Sequence, residues 1–280
     1  MSLIVMVCVH GPHMAHASSD APTPYLQSAI NLLNIAHPPY SSSMWPHVLV
    51  STAPHGFIAL AQYTPLTSPE GEIIGKIKIG SDFHRYKKEY TVLSSNIPRY
   101  ERPDFDHYYT IVLALSLVNE TAHFIQHQNG SLDDFHTFKT LRDTPALCTL
   151  YSLQQHVSDV EMLDAALRLE HYFIQHGAIK SLYALRLALE KMGLREIFSS
   201  FRSSYSAKDA PLLRQTLQTL YLARLNDNMQ GLNRCNGVTR ADLGNDVLDR
   251  AVAPARDIFE IYFDTRPAIL PRSQNSQFNP

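Results

Sequence analysis

Residues 109 to 130, Tyr-Thr-Ile-Val-Leu-Ala-Leu-Ser-Leu-Val-Asn-Glu-Thr-Ala-His-Phe-Ile-Gln-His-Gln-Asn-Gly, constrain this chain more than any other stretch. An almost uninterrupted apolar run, Ile111 to Val118, leads into a compact polar group: Asn119, Glu120, His123 and His127. No Pro or Gly interrupts it before Gly130, so the stretch reads as one buried helix ending at a glycine cap. A buried helix seldom carries a Glu and two His without partners, because desolvating an unpaired polar group is costly. Partner side chains would satisfy them, and so would a metal ion. The sequence leaves both open.

Upstream, residues 23 to 36 read as a helix with Thr23 as cap and Pro24 at its first position. Leu26, Ile30, Leu33 and Ala36 give it one buried face, and His37-Pro38-Pro39 stops it. The period then changes. Val48–Val50, Phe57–Ala61 and Ile73–Ile79 read as three strands, with turns at Pro54-His55-Gly56 and at Ser68 to Gly71. Lys76 and Lys78 alternate with Ile77 and Ile79, which gives the last strand a wet face and the character of a sheet edge. Residues 80 to 107 read as a short helix or turn and a surface loop.

From residue 109 onward the pattern is helical. One helix is expected near 145–156. Another covers about 159 to 176, with Ser158 as cap, Glu161 completing a capping box and Gly177 at its end. Ile179 to Met192 is the next, stopped by Gly193, and Asp209-Ala-Pro211 opens a longer one through about Met229. Residues 231 to 256 are looser, and Asp257 to Phe263 read as a last short helix or strand. The expected fold is therefore α+β: an N-terminal helix and a small antiparallel sheet, with a mostly helical C-terminal half. Residues 21–265 read as a single domain, because no linker splits them, and 266–280 as a disordered tail.

Residues 1–20 read as an N-terminal strand or a short signal-like segment. Leu3 to Val9 is apolar and rich in Val and Ile, as a first strand would be. Ala15-His16-Ala17 has the spacing of a cleavage site, but a charged n-region is missing and His10-Gly11-Pro12 cuts the apolar run. The strand reading leans to a cytoplasmic over a secreted chain. His10, His13 and His16 read as incidental residues of a turn.

Composition excludes several classes. A formal net charge of -2 offers no basic surplus for nucleic acid or anionic lipid. Cys8, Cys148 and Cys235 are far apart and no CxxC occurs, which argues against a thiolate zinc site and a dense disulfide scaffold. No apolar run reaches membrane-spanning length, so no integral membrane segment is expected. GxGxxG, GxxxxGK[ST] and GxSxG are all missing, which argues against dinucleotide binding, P-loop chemistry and an α/β-hydrolase elbow. Cys148 and His156 fall in one helical segment and read as core residues, not as a nucleophile and its base. No spacing ties His55, His84 or His107 to a partner acid.

In the helix at 159–176, Leu163, Leu167, Glu170 and Ile174 share one face. Glu170 thus stands where a leucine is expected. An inward carboxylate wants a cation, whether Arg, Lys, protonated His or metal. In the organising helix, Asn119 and His123 share a face, as do His123 and His127, and Glu120 lies about 60° around the axis from His123.

Val118-Asn-Glu-Thr-Ala-His123 resembles the HExxH helix of zincin metallopeptidases, with Asn119 where the first His stands in that family. The resemblance covers roughly residues 70 to 177. It implies a zincin-like domain in which His123 is a zinc ligand, Glu120 the general base that activates zinc-bound water, and Glu170 a third ligand from a downstream helix. It also implies an extended peptide or protein held along the strand at 73–79. The departure at Asn119 matters, because a neutral amide oxygen is a weak donor to Zn²⁺. His127 could pair with His123 instead, at the cost of changing the register to Glu120. The expectation is a zincin-like protein with a degenerate metal site: a pseudo-peptidase or weak zinc binder, and if active a zinc-dependent hydrolase. The other reading is a non-catalytic interaction or structural protein whose buried Glu/His cluster holds no metal. Phe124-Ile-Gln-His127 and Phe173-Ile-Gln-His176 are identical, but their flanks do not align, and coincidence explains them.

Overall fold

The computed structural model describes residues 5–6, 23–36, 48–52, 60–67, 69, 71, 73–80, 82–128 and 145–230. In chain order the elements are β1 (Val5–Met6), α1 (Thr23–Ala36), β2 (Val48–Thr52), β3 (Ala61–Thr67), β4 (Ile73–Ile79) and α2 (Phe83–Leu93), then α3 (Phe105–Gln128), α4 (Pro145–Gln175), α5 (Ile179–Lys191), α6 (Arg195–Ala207) and α7 (Ala210–Gln230). The arrangement is α+β, a small sheet with a helical majority. No helix among the described residues is long and apolar enough to cross a membrane.

Helix α3 is the organising element. Asp104 caps it, its side chain accepting the His107 N–H at 2.8 Å. Ile111 to Leu115, Leu117 and Val118 are all buried, so the helix is apolar around its circumference and needs neighbours on every side. It finds them in α1, α2, α4, α5 and the strands β3 and β4. At Gly75 of β4, an added Cβ would stand 2.7 Å from a ring carbon of Phe124 and 2.9 Å from one of Tyr63. The glycine is there because helix and sheet come too close for any side chain. Buried apolar residues from α1 through α7 and from β3 and β4 form one continuous cluster.

The sheet corrects the expectation of a purely antiparallel one. Its order is β1-β2-β4-β3, with β2 and β4 parallel and the other two pairs antiparallel. The strand expected at the edge, 73–79, is an inner strand, and among the described residues β3 is the outer one. Lys76 and Lys78 are half-exposed because one face of β4 is wet; alternation reports a face, not a place in the strand order. A peptide therefore has no free edge to occupy along 73–79. Of the strand expected at 57–61, residues 57–59 lie outside the described residues; β3 runs over Ala61–Thr67, a more polar stretch containing Pro65. An edge strand tolerates Pro, whose missing N–H points away from the ladder. The strand reading at Leu3–Val9 meets β1, which pairs Val5 with Val50 and Met6 with Leu49.

Among the helices, α1 spans Thr23–Ala36 as its caps and period imply. The two helices expected at 145–156 and 159–176 are one, α4, 31 residues long. Ser158 does not cap a helix start. It lies inside, its hydroxyl donating to the Gln155 carbonyl at 2.8 Å. Gly177 and Gly193 adopt positive φ, 62° and 68°, and end α4 and α5 as expected. Helix α6 was not expected; it buries Phe198, Phe201 and Ser204. Gly130, the histidines at 10, 13, 16 and 55, the turn at 54–56, and the segments 231–256, 257–263 and 266–280 lie outside the described residues.

Candidate functional site

Glu120 and His127, seven residues apart on α3, both grip Tyr63 of β3. Glu120 Oε2 accepts the Tyr63 backbone N–H at 2.6 Å. The Tyr63 hydroxyl and His127 Nδ1 share a buried hydrogen bond of 2.7 Å. The Tyr63 ring stands edge-on to Phe124 and His127, centroids 6.2 Å away in each case. Burial raises the Tyr63 pKa, so the hydroxyl keeps its proton.

The direction of the Tyr63 N–H follows from the ladder. Gly80 donates to the Leu60 carbonyl at 2.8 Å, and Tyr63 is paired with Ile77 in an antiparallel register. Hydrogen-bonded pairs alternate, so the backbone groups of residues 63 and 65 face away from β4. Residue 65 is Pro and has no N–H; the N–H of residue 63 is taken by Glu120. Two outward positions of this edge are closed.

Asn119 and His123 look the other way, toward α4. His123 Nε2 lies 3.0 Å from the Gln155 amide nitrogen, and Nδ1 lies 3.0 Å from Gln126 Oε1. With the Gln155 amide as donor, Nε2 accepts and Nδ1–H donates, the tautomer following from the amide orientation. Gln126 donates on to the Gln154 carbonyl at 3.1 Å. Asn119 donates to Ser158 Oγ at 2.8 Å. These contacts make a polar seam between two long helices.

Glu170 is buried where the α4 stripe put it, and its cation is Arg202 of α6, Nη1 to Oε1 2.9 Å. The arrangement does not bring it to His123. His123 touches α4 at Gln155, and 15 residues separate Gln155 from Glu170, about 22 Å at 1.5 Å per residue. Ligands of one zinc ion must each come within about 2.0–2.2 Å of it. Among the described residues no group of three His, Cys, Asp or Glu is placed to hold a metal ion. Asn119 presents its amide nitrogen to Ser158, and both ring nitrogens of His123 are engaged, so these residues do not fit a zinc ion as they stand.

Other candidates are also placed. Cys148 is buried, as its reading as a core residue expects, and it is disulfide-bonded, which removes it as a nucleophile; no other cysteine lies among the described residues. His107 contacts both carboxylate oxygens of Asp104, at 2.9 and 3.0 Å, at the exposed start of α3. His84 is exposed on α2. The two Phe-Ile-Gln-His copies differ in setting: His127 is buried, whereas His176 is exposed and bonds the Tyr172 carbonyl. Sequence reasoning did not find the buried pair of Asp159 with Arg224, joined through Nε and through Nη2 at 2.9 Å. These residues lie 65 apart on α4 and α7, and no spacing could have linked them.

No family model, curated protein or solved structure matches the chain.

Proposed function

We propose that this chain is a non-catalytic interaction or structural protein, and that its Glu/His cluster serves without metal to set how α3 docks on β3 and α4. One observation supports this above all. The residues that a hydrolytic centre would need are engaged in packing: both ring nitrogens of His123 by carboxamides and Glu120 by a backbone N–H. A carboxylate hydrogen-bonded to a fixed N–H, and an imidazole held in one tautomer, specify one helix register, and both are already committed to packing contacts. The disulfide at Cys148 favours an oxidising compartment over the cytoplasmic reading.

The degenerate zincin-like reading keeps one point in its favour, an edge strand lying against the helix that carries Glu120 and His123. Elemental mass spectrometry of the purified, untagged protein separates the two, with His123→Ala as control. The expected result is no stoichiometric zinc, even after zinc is supplied. Near-stoichiometric zinc that disappears in the control would overturn the metal-free proposal, and a peptidase assay would then be the next step.

A further inference from the structure

His156 lies on α4 where α7 packs against it, and its ring is fully buried. Neither Nδ1 nor Nε2 has a hydrogen-bond partner. Tyr221 of α7 stands edge-on to the ring with centroids 5.7 Å apart, and its own buried hydroxyl is equally unpartnered. A native core seldom leaves three such atoms together, since each forgoes its hydrogen bonds to water.

The charged and titratable groups to weigh around this contact come from four helices. Arg224, one turn beyond Tyr221 on α7, bears on the ring with its positive charge. Burial alone would lower the Arg224 pKa, but the hydrogen bonds and charge of Asp159 raise it, and the guanidinium stays charged. Asp159, three residues beyond His156 on α4, is held by Arg224 and is not hydrogen-bonded to the ring. Asp227 of α7 lies 3.8 Å from Arg224, and Tyr151 of α4 also acts on it. From α3, His123 acts on Asp159. From α6, Arg202 engages Glu170, 14 residues further along α4 and about 21 Å away. A proton on His156 would therefore put a second cation beside Arg224 in a dry contact, with no acceptor in place. A buried, unpaired charge of this kind is expelled or hydrated.

We propose that His156 makes the contact between α4 and α7 acid-operated: its protonation drives α7 off α4 and lets water reach both. Among the described elements the main neighbours of α7 are α4 and α6, whereas α4 is also fixed by α3 and α5, so α7 is the element that yields. Opening would expose Leu217, Leu220, Tyr221 and Leu225, a buried apolar face that a partner could then reach. Burial, assisted by the Arg224 charge, pushes the His156 pKa down to about 4 from its ordinary 6.5. The sign follows. A depressed histidine favours the closed contact fully above the unfolded pKa, near 6.5, and that support is lost as pH falls toward 4.

Hydrogen exchange of the full chain between pH 7.5 and 4.5, corrected for intrinsic rates and mapped by helix, reads the proposal directly. The opening constant of α7 should rise up to about tenfold per pH unit below about 6.5, the slope for uptake of one proton, while α3 stays protected. His156→Leu should flatten that slope. If it does not fold, His156→Gln, which cannot titrate, should flatten it too. A wild-type α7 whose opening ignores pH, a variant that folds and keeps the wild-type slope, or an opening that involves α3 equally would overturn the proposal.

Discussion

Tyr63 is held at two points, by its backbone through Glu120 and by its hydroxyl through His127, and the two grips can be removed separately. Tyr63→Phe deletes a buried hydrogen bond and strands the His127 nitrogen, which should cost about 1–2 kcal/mol and lower the urea midpoint. An unchanged midpoint would mean the hydroxyl does nothing for the fold. Glu170 offers a second test. Arg202→Met leaves the buried carboxylate without its cation; because Arg202 is 44% exposed, the loss should be near 1 kcal/mol. Adding Glu170→Leu should return the melting temperature to the wild-type value or above it. If the double variant melts no higher than the single one, the pair is not what holds Glu170 in place. The need of Glu170 for a cation was legible from its place in a leucine stripe. Which cation was not, because Arg202 sits on a helix that the Ser-rich stretch at 199–206 disguised. The same holds for His123: its burial could be read from the helix, but Gln155 reaches it only through tertiary packing.

At the scale of elements, α4 shows what continuity depends on. No Pro or Gly falls between Pro145 and Gly177, and that absence outweighs a Ser-x-x-Glu pattern that also fits a helix interior. Helix α6 and its cap carry Leu194, Phe198, Phe201 and Tyr205 at helical spacing, so its period was present in the sequence even though its composition pointed elsewhere. Strand β3 was harder to read, since Ala61 to Thr64 alternate but Pro65 and the exposed Leu66 break the pattern, and only the sheet order shows why Pro is acceptable there. The close approach of α3 and β4 predicts the effect of a single methyl group. Gly75→Ala should destabilise by about 1–3 kcal/mol, because Phe124 and Tyr63 fill the space. Phe124→Leu in that background should recover part of the loss in a denaturation experiment. A Gly75→Ala protein as stable as wild type would show that the two elements can separate freely.

For the molecule as a whole, the bridge at Cys148 fastens the start of α4 to a residue outside the described set, and a closed loop in the unfolded chain raises its free energy. Reductant should therefore lower the melting temperature, and thiol titration of the unfolded protein should give fewer free thiols than its three cysteines allow. Equal melting curves with and without reductant would remove the bridge from the account of stability. The strand order also bears on how copies of the chain meet. Sheets lengthen when a second backbone docks on open N–H and C=O groups, and this is how many proteins begin to form fibres. On the β3 side Pro65 has no donor to offer and Tyr63 has given its own to Glu120. The carboxylate that the motif presents as a catalytic base thus takes away a donor that a second backbone would need on this strand, for as long as α3 stays docked.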